Sequence, residues 1–358
     1  MAATNGGITR RDLLNAGMAA GVAGLAGGVV PAAGQQHLPK WRILSYDERM
    51  EYRRLGKTGQ WVSAISLGGH WKRCPFRGEE FQKNRTEIIA RCLDSGINYV
   101  DACSRPEVIT YSKALRSLKK RDRMYMGFSY CGHEVRNPKY RTKRALLKEF
   151  DALMKEAQLD YVDIWRITCH EPGGVHSYNT ACEIAAAGEQ AVKDGKVRYF
   201  GISSHDRRWI EFMVREFPII SVILTPYTAK TKQKPVGSFF ETIRKYDVGF
   251  FGIKPFASNT IFKGSSRPDD PNREEDDRRA RMALRYILCC DVITAPIPGL
   301  IFPHHVDNCL QAIAERRQFD LQASGPAILK DSYFARVQQE MWNRLPSHYQ
   351  WLKDWEWV

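Results

Sequence analysis

Residues 98–115 read NYVDACSRPEVITYSKAL. An apolar run ends in an aspartate, the short loop CSRPE follows, and a helical pattern takes over. That unit recurs along the chain. The candidate strands are SAISLGG (63–69), INYVDA (97–102), MYMGFSY (124–130), YVDIWRI (161–167), VRYFGIS (197–203), SVILTPY (221–227), VGFFGIKP (248–255) and ITAPIPG (293–299). Helical patterns separate them, among them 84–95, 140–157, 178–194, 206–216, 236–246, 273–289 and 303–315. The strand runs are nearly continuous in apolar residues, as parallel strands covered on both faces must be. Strict alternation predicts an α/β fold with right-handed crossovers, and eight units predict a closed (β/α)8 TIM barrel. EYRRLGKTGQWVS (51–63) adds an N-terminal β-hairpin around Gly56 and Gly59. An open doubly wound sheet is the alternative, but the first strand-to-helix turn, SLGGHWKRCPF, has no GxGxxG.

In such a barrel, chemistry sits where strands end and loops begin. Asp101 stands at one of those ends. A carboxylate buried there is costly unless it is paired, which makes it a site candidate.

The chain has 358 residues, 43% of them hydrophobic, with nine Trp, fifteen Tyr and sixteen Phe. It can bury a large core, and disorder is excluded for most of it. The net charge of +14 is carried by dispersed Lys and Arg, which describes a solvated basic surface and predicts no nucleic-acid partner. Nine cysteines, at 74, 92, 103, 131, 169, 182, 289, 290 and 309, contain no CxxC pair and imply neither a zinc ribbon nor a disulfide framework. RPDDPNREEDDRR (267–279) reads as a charged loop entering a helix, with acidic residues suited to the helix start.

The N-terminus carries Arg10 and Arg11 ahead of a Gly- and Ala-rich apolar stretch from Ala16 to Ala33. Residues 1–34 resemble a twin-arginine export signal, with Leu13 and Asn15 departing from the usual residues. The stretch is too weakly apolar and too rich in glycine for a stable membrane span. The resemblance implies export in folded form to the periplasm or cell envelope, with membrane contact only through the signal. Residues 35–48 read as a linker, 49–320 as the barrel, and 321–358 as a C-terminal helical and aromatic tail packing on the barrel.

Several stretches in order resemble the aldo-keto reductase family: EYRRLGKTGQWVSAISLGG, GINYVDA, GKVRYFGISSH, and RMALRYIL followed by VITAPIPGLIFPHHVDN. The resemblance covers roughly residues 50–315. It implies a (β/α)8 barrel that binds NADP(H) and reduces carbonyls with Asp, Tyr, Lys and His. A carbonyl that receives hydride develops negative charge on oxygen, so an acid or cation must stand beside it. Asp101 matches the family's Asp. The loop that carries its Tyr is shortened to CSRPE and holds none, and Tyr111 falls within the next helix. Ser129 stands at the Lys position and Thr168 at the His position. By the same resemblance Ser203 and Ser204 would contact the nicotinamide amide, Lys254 would lie on the pyrophosphate path, and Gly299 would open the loop cradling the adenosine phosphate. His304 and His305 would read the 2′-phosphate, while Leu224 and Cys309 replace the common Gln and Asn.

Strand alternation aims Cys103, Cys131 and His170 in the same direction as Asp101, Ser129 and Thr168. His70, His133, Glu134, Cys169 and Glu171 lie close by in sequence. Three chemistries are open here: a zinc site, a Cys-His nucleophile pair, or a recruited acid, with His170 or Tyr130 giving the proton. Small buried cysteines and locally satisfied histidines are the plainer reading. The tail, with Trp342, Trp351, Trp355 and Trp357, either closes the pocket or caps the barrel through buried aromatics.

The sequence thus predicts an exported, NADP(H)-dependent oxidoreductase of a small carbonyl or alcohol substrate, sugars included. Asp101 and His170 are its predicted catalytic residues, Ser203, Ser204, Lys254 and Gly299 hold the cofactor, and no metal ligands are assigned. A freely exchanging cofactor is not regenerated outside the cytoplasm, so it is carried tightly or the chemistry has changed. The alternatives are an envelope binding or scaffold protein on the same barrel, and a metal-assisted hydrolase or lyase.

Overall fold

The computed structural model describes residues 40–69, 74–169 and 176–358. The signal segment 1–34, His70, His170 and Glu171 lie outside the described residues. Residues 40–358 form one compact unit. Among the described residues no helix is long and apolar enough to cross a membrane.

Strands β1 (Tyr52–Arg54) and β2 (Trp61–Ser63) form the antiparallel hairpin, with Tyr52 opposite Ser63. Gly56 holds a φ of +46°, and a Cβ there would lie 2.3 Å from the amide nitrogen of Gly249. Only glycine fits this left-handed turn against the barrel base. The segment before the hairpin is tied down too, since Asn98 Nδ2 donates to the Leu44 carbonyl and Ser45 Oγ to that of Arg123.

The barrel strands are β3 (Tyr99–Ala102), β4 (Tyr125–Phe128), β5 (Val162–Thr168), β6 (Val197–Ser203), β7 (Ile220–Pro226), β8 (Gly249–Ile253) and β9 (Ala295–Pro296). They pair in sequence order, all parallel. The first predicted strand closes the ring through isolated parallel bridges, Leu67 to Val100 and Gly68 to Gly299. Ser66 and Gly68 donate their amides to the carbonyls of Pro296 and Pro298, at 3.1 and 2.8 Å. The run 63–69 is therefore no continuous strand. Ser63 belongs to the hairpin, and the two prolines opposite have no N–H to return.

Helices α1 (Gly78–Asp94), α2 (Arg105–Ser117), α3 (Lys143–Ala157), α4 (Tyr178–Lys193), α5 (Arg207–Glu216), α6 (Phe239–Lys245), α7 (Arg273–Ile287) and α8 (Pro303–Phe319) surround the strands. Their starts carry the expected caps. Thr142 accepts from Ala145 N–H, Asp206 from Arg208 and Trp209, and Ser238 forms a capping box with Glu241.

Two apolar layers result. Inside the ring, Leu55 and Val62 from the hairpin meet Tyr99, Ile164, Leu224 and Phe251, with the Tyr99 and Phe251 rings stacked at 4.1 Å. Between strands and helices, Trp165 packs between Phe150 and Phe200, 4.4 and 5.3 Å away. Each such side chain contributes roughly 1.5–3 kcal/mol by leaving water. The tail forms α9 (Ser332–Asn343) and a 3-10 segment, Ser347–Trp355. Its end pairs with the loop after β7: Val358 N–H donates to Lys232 O and Lys234 N–H to Val358 O, at 2.9 and 2.6 Å.

Candidate active site

The carboxyl ends of the strands open into a cavity of about 580 Å³. Asp101, Arg166, Thr168 and Ser203 line its floor. Along β5, Ile164, Arg166 and Thr168 share the interior face by strand alternation. An arginine is thereby carried into the middle of an otherwise apolar barrel.

Arg166 pairs with Asp101. Nε and Nη2 donate to the two carboxylate oxygens at 3.0 and 2.6 Å, and Nη1 donates to Thr168 Oγ1 at 2.9 Å. Both side chains are nearly sealed, at 4% and 7% exposure. Burial alone would lower the guanidinium's pKa. The charge and hydrogen bonds of Asp101 outweigh it and hold Arg166 well above its usual value. These bonds use three of the five guanidinium N–H groups and leave one on each terminal nitrogen for a ligand. Tyr99 Oη donates to Asp101 Oδ1 at 3.3 Å and steadies the carboxylate from below.

Ser129 and Thr168, which stand where the resemblance placed Lys and His, bind each other, Oγ to Oγ1 at 2.9 Å. Glu134 ties both down. It accepts from Ser129 Oγ at 2.8 Å, Thr168 N–H at 2.7 Å and Tyr130 N–H at 2.8 Å. Burial pushes the Glu134 carboxyl up, and those three hydrogen bonds only partly offset it. The loop after β4 is thus fastened to the end of β5 by one carboxylate.

At the same rim, Cys103 and Cys131 also line the cavity. Cys103 N–H donates to Glu107 Oε2 at 2.7 Å. Tyr111 is spent elsewhere, its hydroxyl donating to the Gly68 carbonyl at 2.8 Å beneath α2. Tyr130 stacks on His133 at 4.0 Å, and the cavity lining does not include it. Among the described residues, no three His, Cys, Asp or Glu side chains converge so as to hold a metal ion.

The residues assigned to a dinucleotide divide. Ser203, Lys254 and Gly299 line the cavity. Ser204 does not: its hydroxyl accepts from Asp206 N–H at 3.1 Å and helps start α5. Lys254 opens a loop in which it, Ala257, Ser258 and Asn259 all hold positive φ, between +45° and +70°. Such backbone costs of order 1 kcal/mol or more per residue and persists where the surroundings fix it. The Lys254 ammonium lies 5.5 and 5.6 Å from the rings of Tyr349 and Trp351, and Trp351 stacks on His205 at 4.2 Å. The tail therefore does both things open to it. Trp342 and Trp355 are buried against the barrel, while Tyr349 and Trp351 wall the cavity.

At the far end, His305 has a structural task. Its Nδ1 accepts from Ile301 N–H at 3.1 Å, and its Nε2 lies 2.9 Å from the Ser266 carbonyl, so the ring caps α8 and pins the neighbouring loop. Burial pulls its pKa down to about 4, so it is neutral near pH 7. His304 lies 3.9 Å from Asp277, and burial lowers its pKa as well. Asp277 lines this end, and Arg273 reaches Asp277 at 3.8 Å. The donor set as a whole fits a dinucleotide: a strand-end hydroxyl, a cation on a rigid loop, and an opening glycine at the far wall. His305 and Asp277 line this end of the cavity.

Sequence reasoning missed Arg166. The available signal was a lone arginine inside the apolar run YVDIWRI, two residues before a predicted rim position.

The sequence profile of the Aldo/keto reductase family matches residues 64–281. An L-galactose dehydrogenase from Arabidopsis thaliana is 21% identical over 288 residues, 75% of this chain and 89% of that one. An L-glyceraldehyde 3-phosphate reductase from Escherichia coli is 26% identical over 228 residues, covering 60% of this chain and 63% of the reductase, just under two thirds of its length. Among solved structures, an aldo-keto reductase from Bacillus halodurans superposes with a TM-score of 0.57 at 18% identity, covering 84% of this chain and 99% of that one. That likeness shows the (β/α)8 fold.

Proposed function

Because the chain belongs to the aldo/keto reductase family, we propose that it is an NADP(H)-dependent oxidoreductase of a small carbonyl or alcohol, sugars included, with a rebuilt floor to its site. The buried Asp101–Arg166 pair carries this reading. It puts a permanent cation where the resemblance would place a lysine, drawn from β5 instead of the end of β4. A nicotinamide dinucleotide, when bound, supplies or accepts the hydride. Ser203, Lys254 and the loop opened by Gly299 would hold it. Arg166 then offers its two remaining N–H groups to the substrate oxygen and stabilises the negative charge that grows there. A guanidinium does not give up its proton in a protein, so the proton reaches that oxygen from water in the open cavity. Asp101 acts by holding Arg166 in place, and Thr168 and Glu134 fix the wall beside it. The sugar-related names of two relatives support an aldose or its alcohol as the substrate. The export segment supports a periplasmic setting, which calls for a cofactor held tightly.

The test is NADPH consumption against a panel of aldoses and simple aldehydes. Arg166→Met is expected to lower kcat by about 100-fold or more, the size of losing one oxyanion donor, while dinucleotide binding persists. Undiminished turnover in that variant would remove Arg166 from the chemistry.

A further inference from the structure

The cysteines at the cavity rim have no part in the reaction above. Strands β3 and β4 run in register up to Ala102 beside Phe128, and backbone hydrogen bonds carry on into the turn that begins at Cys131. Ser129 N–H donates to Ala102 O at 2.9 Å and Cys131 N–H to Cys103 O at 3.2 Å. That amide-to-carbonyl bond sets Cys131, the first residue of a 3-10 turn, beside Cys103 at the rim, as a disulfide with Cα atoms about 4.4–6.8 Å apart requires. The two thiols also act on each other through their side chains. Both line the cavity, whereas Cys92 and Cys169 are wholly buried and lie outside its lining.

We propose that Cys103 and Cys131 form a redox-active dithiol that exchanges with small disulfides entering the cavity. The two sulfurs are unequal. Cys131 is partly exposed and Cys103 is buried. Its interaction with Cys103, helped by Arg166, draws the Cys131 thiol below its usual value against the pull of burial, Glu134 and Glu107. The same interaction, with burial, pushes Cys103 well above its usual value. Cys131 is therefore the attacking thiolate and Cys103 the resolving thiol. In the first step the Cys131 thiolate attacks one sulfur of a disulfide RSSR. A bond forms between Cys131 and that sulfur, the S–S bond of RSSR breaks, and RS⁻ leaves. In the second step Cys103 passes its proton to the departing thiolate and its sulfur attacks Cys131. The mixed disulfide breaks, a second RS⁻ leaves, and the Cys103–Cys131 bond closes. Two electrons pass from the protein to RSSR, giving RSH and RS⁻, and two added thiols reverse the sequence. Oxidation also removes a negative sulfur from beside Arg166, so the charge of the site follows the state of the pair. None of this depends on the oxidoreductase reading.

The test uses the purified full chain, reduced and then incubated with oxidised glutathione, alkylated under native conditions and mapped by mass spectrometry. The wild-type protein is expected to lose two hydrogens in a Cys103–Cys131 linked peptide and to regain them with dithiothreitol. Cys103→Ser is expected to trap glutathione on Cys131, at a rate about tenfold or more above that at the half-exposed Cys182. Recovery of both wild-type thiols in reduced form from the folded protein overturns the proposal. So does an adduct rate at Cys131 no greater than at Cys182.

Discussion

Removing either half of the Asp101–Arg166 pair should cost far more than removing both. The two nitrogen–oxygen contacts are 3.0 and 2.6 Å, in a site where neither side chain exceeds 7% exposure. At an effective dielectric of about 20, unit charges about 4 Å apart attract by about 4 kcal/mol. Drawing both ions out of water costs several kcal/mol, so the pair itself nets little. Arg166→Met strands a buried carboxylate and Asp101→Leu strands a buried guanidinium. Each should lose about 3–5 kcal/mol. The double variant strands nothing and fills the volume with apolar atoms, so its loss should stay below about 2 kcal/mol. The cycle is read by urea unfolding at pH 7. Its coupling energy should be at least about 4 kcal/mol in favour of the pair. In thermal scans the single variants should melt roughly 6–20 °C lower, at about 2–4 °C per kcal/mol. Additive losses, or single variants within about 0.5 kcal/mol of wild type, would refute the reasoning, because they would mean that neither charge is desolvated.

Three other outcomes follow from particular contacts. A Cβ on Gly127 would lie 2.1 Å from Tyr99 Oη and 2.8 Å from Asp101 Oδ1, while one on Gly132 meets nothing within 4 Å. Gly127→Ala should therefore cost about 1–3 kcal/mol by overpacking and impair turnover, while Gly132→Ala, the control in both assays, changes neither. The folded-state pKa of His305, pulled down to about 4 by burial, lies below the ordinary 6.5. Its stabilising contribution is complete above pH 6.5 and is lost as pH falls toward 4, up to about 3 kcal/mol. A pH series of unfolding midpoints should be flatter over that window in His305→Gln than in wild type. Asp277 lines the far end of the cavity, so if the 2′-phosphate of NADPH sits there, Asp277→Asn should improve NADPH binding relative to NADH by about fivefold, or about 1 kcal/mol. An unchanged ratio in paired titrations would place the phosphate elsewhere.

The barrel was legible because its signal is local. Near-continuous apolar runs such as VRYFGIS and SVILTPY can only be strands covered on both faces, and their number set the closure. The first strand was overread, since nothing in SAISLGG shows that two prolines opposite cannot donate. Asp101 was legible as a rim carboxylate needing a partner. Its partner was not, because Arg166 comes from two strands along the sheet, 65 positions further on. Reading by position searched for a cation at Ser129 and found a hydroxyl. The charge had moved to the neighbouring strand, which only three-dimensional proximity reveals. His305 shows what a helix start hides in sequence, since its ring also takes up the otherwise unfilled amides of Ile301 and Phe302. The Ser204 hydroxyl likewise takes part in the turn into α5, accepting from Asp206 N–H.

The central claim is that the cavity above Asp101 and Arg166 takes up a nicotinamide dinucleotide. Trp351 forms part of its wall, so its fluorescence reports occupancy directly. Titration of the folded protein with NADPH should quench tryptophan emission to saturation, with a Kd below about 10 µM. Emission unaffected by NADPH and by NADH up to about 1 mM, where even a binding free energy of about −4 kcal/mol would register, contradicts the account.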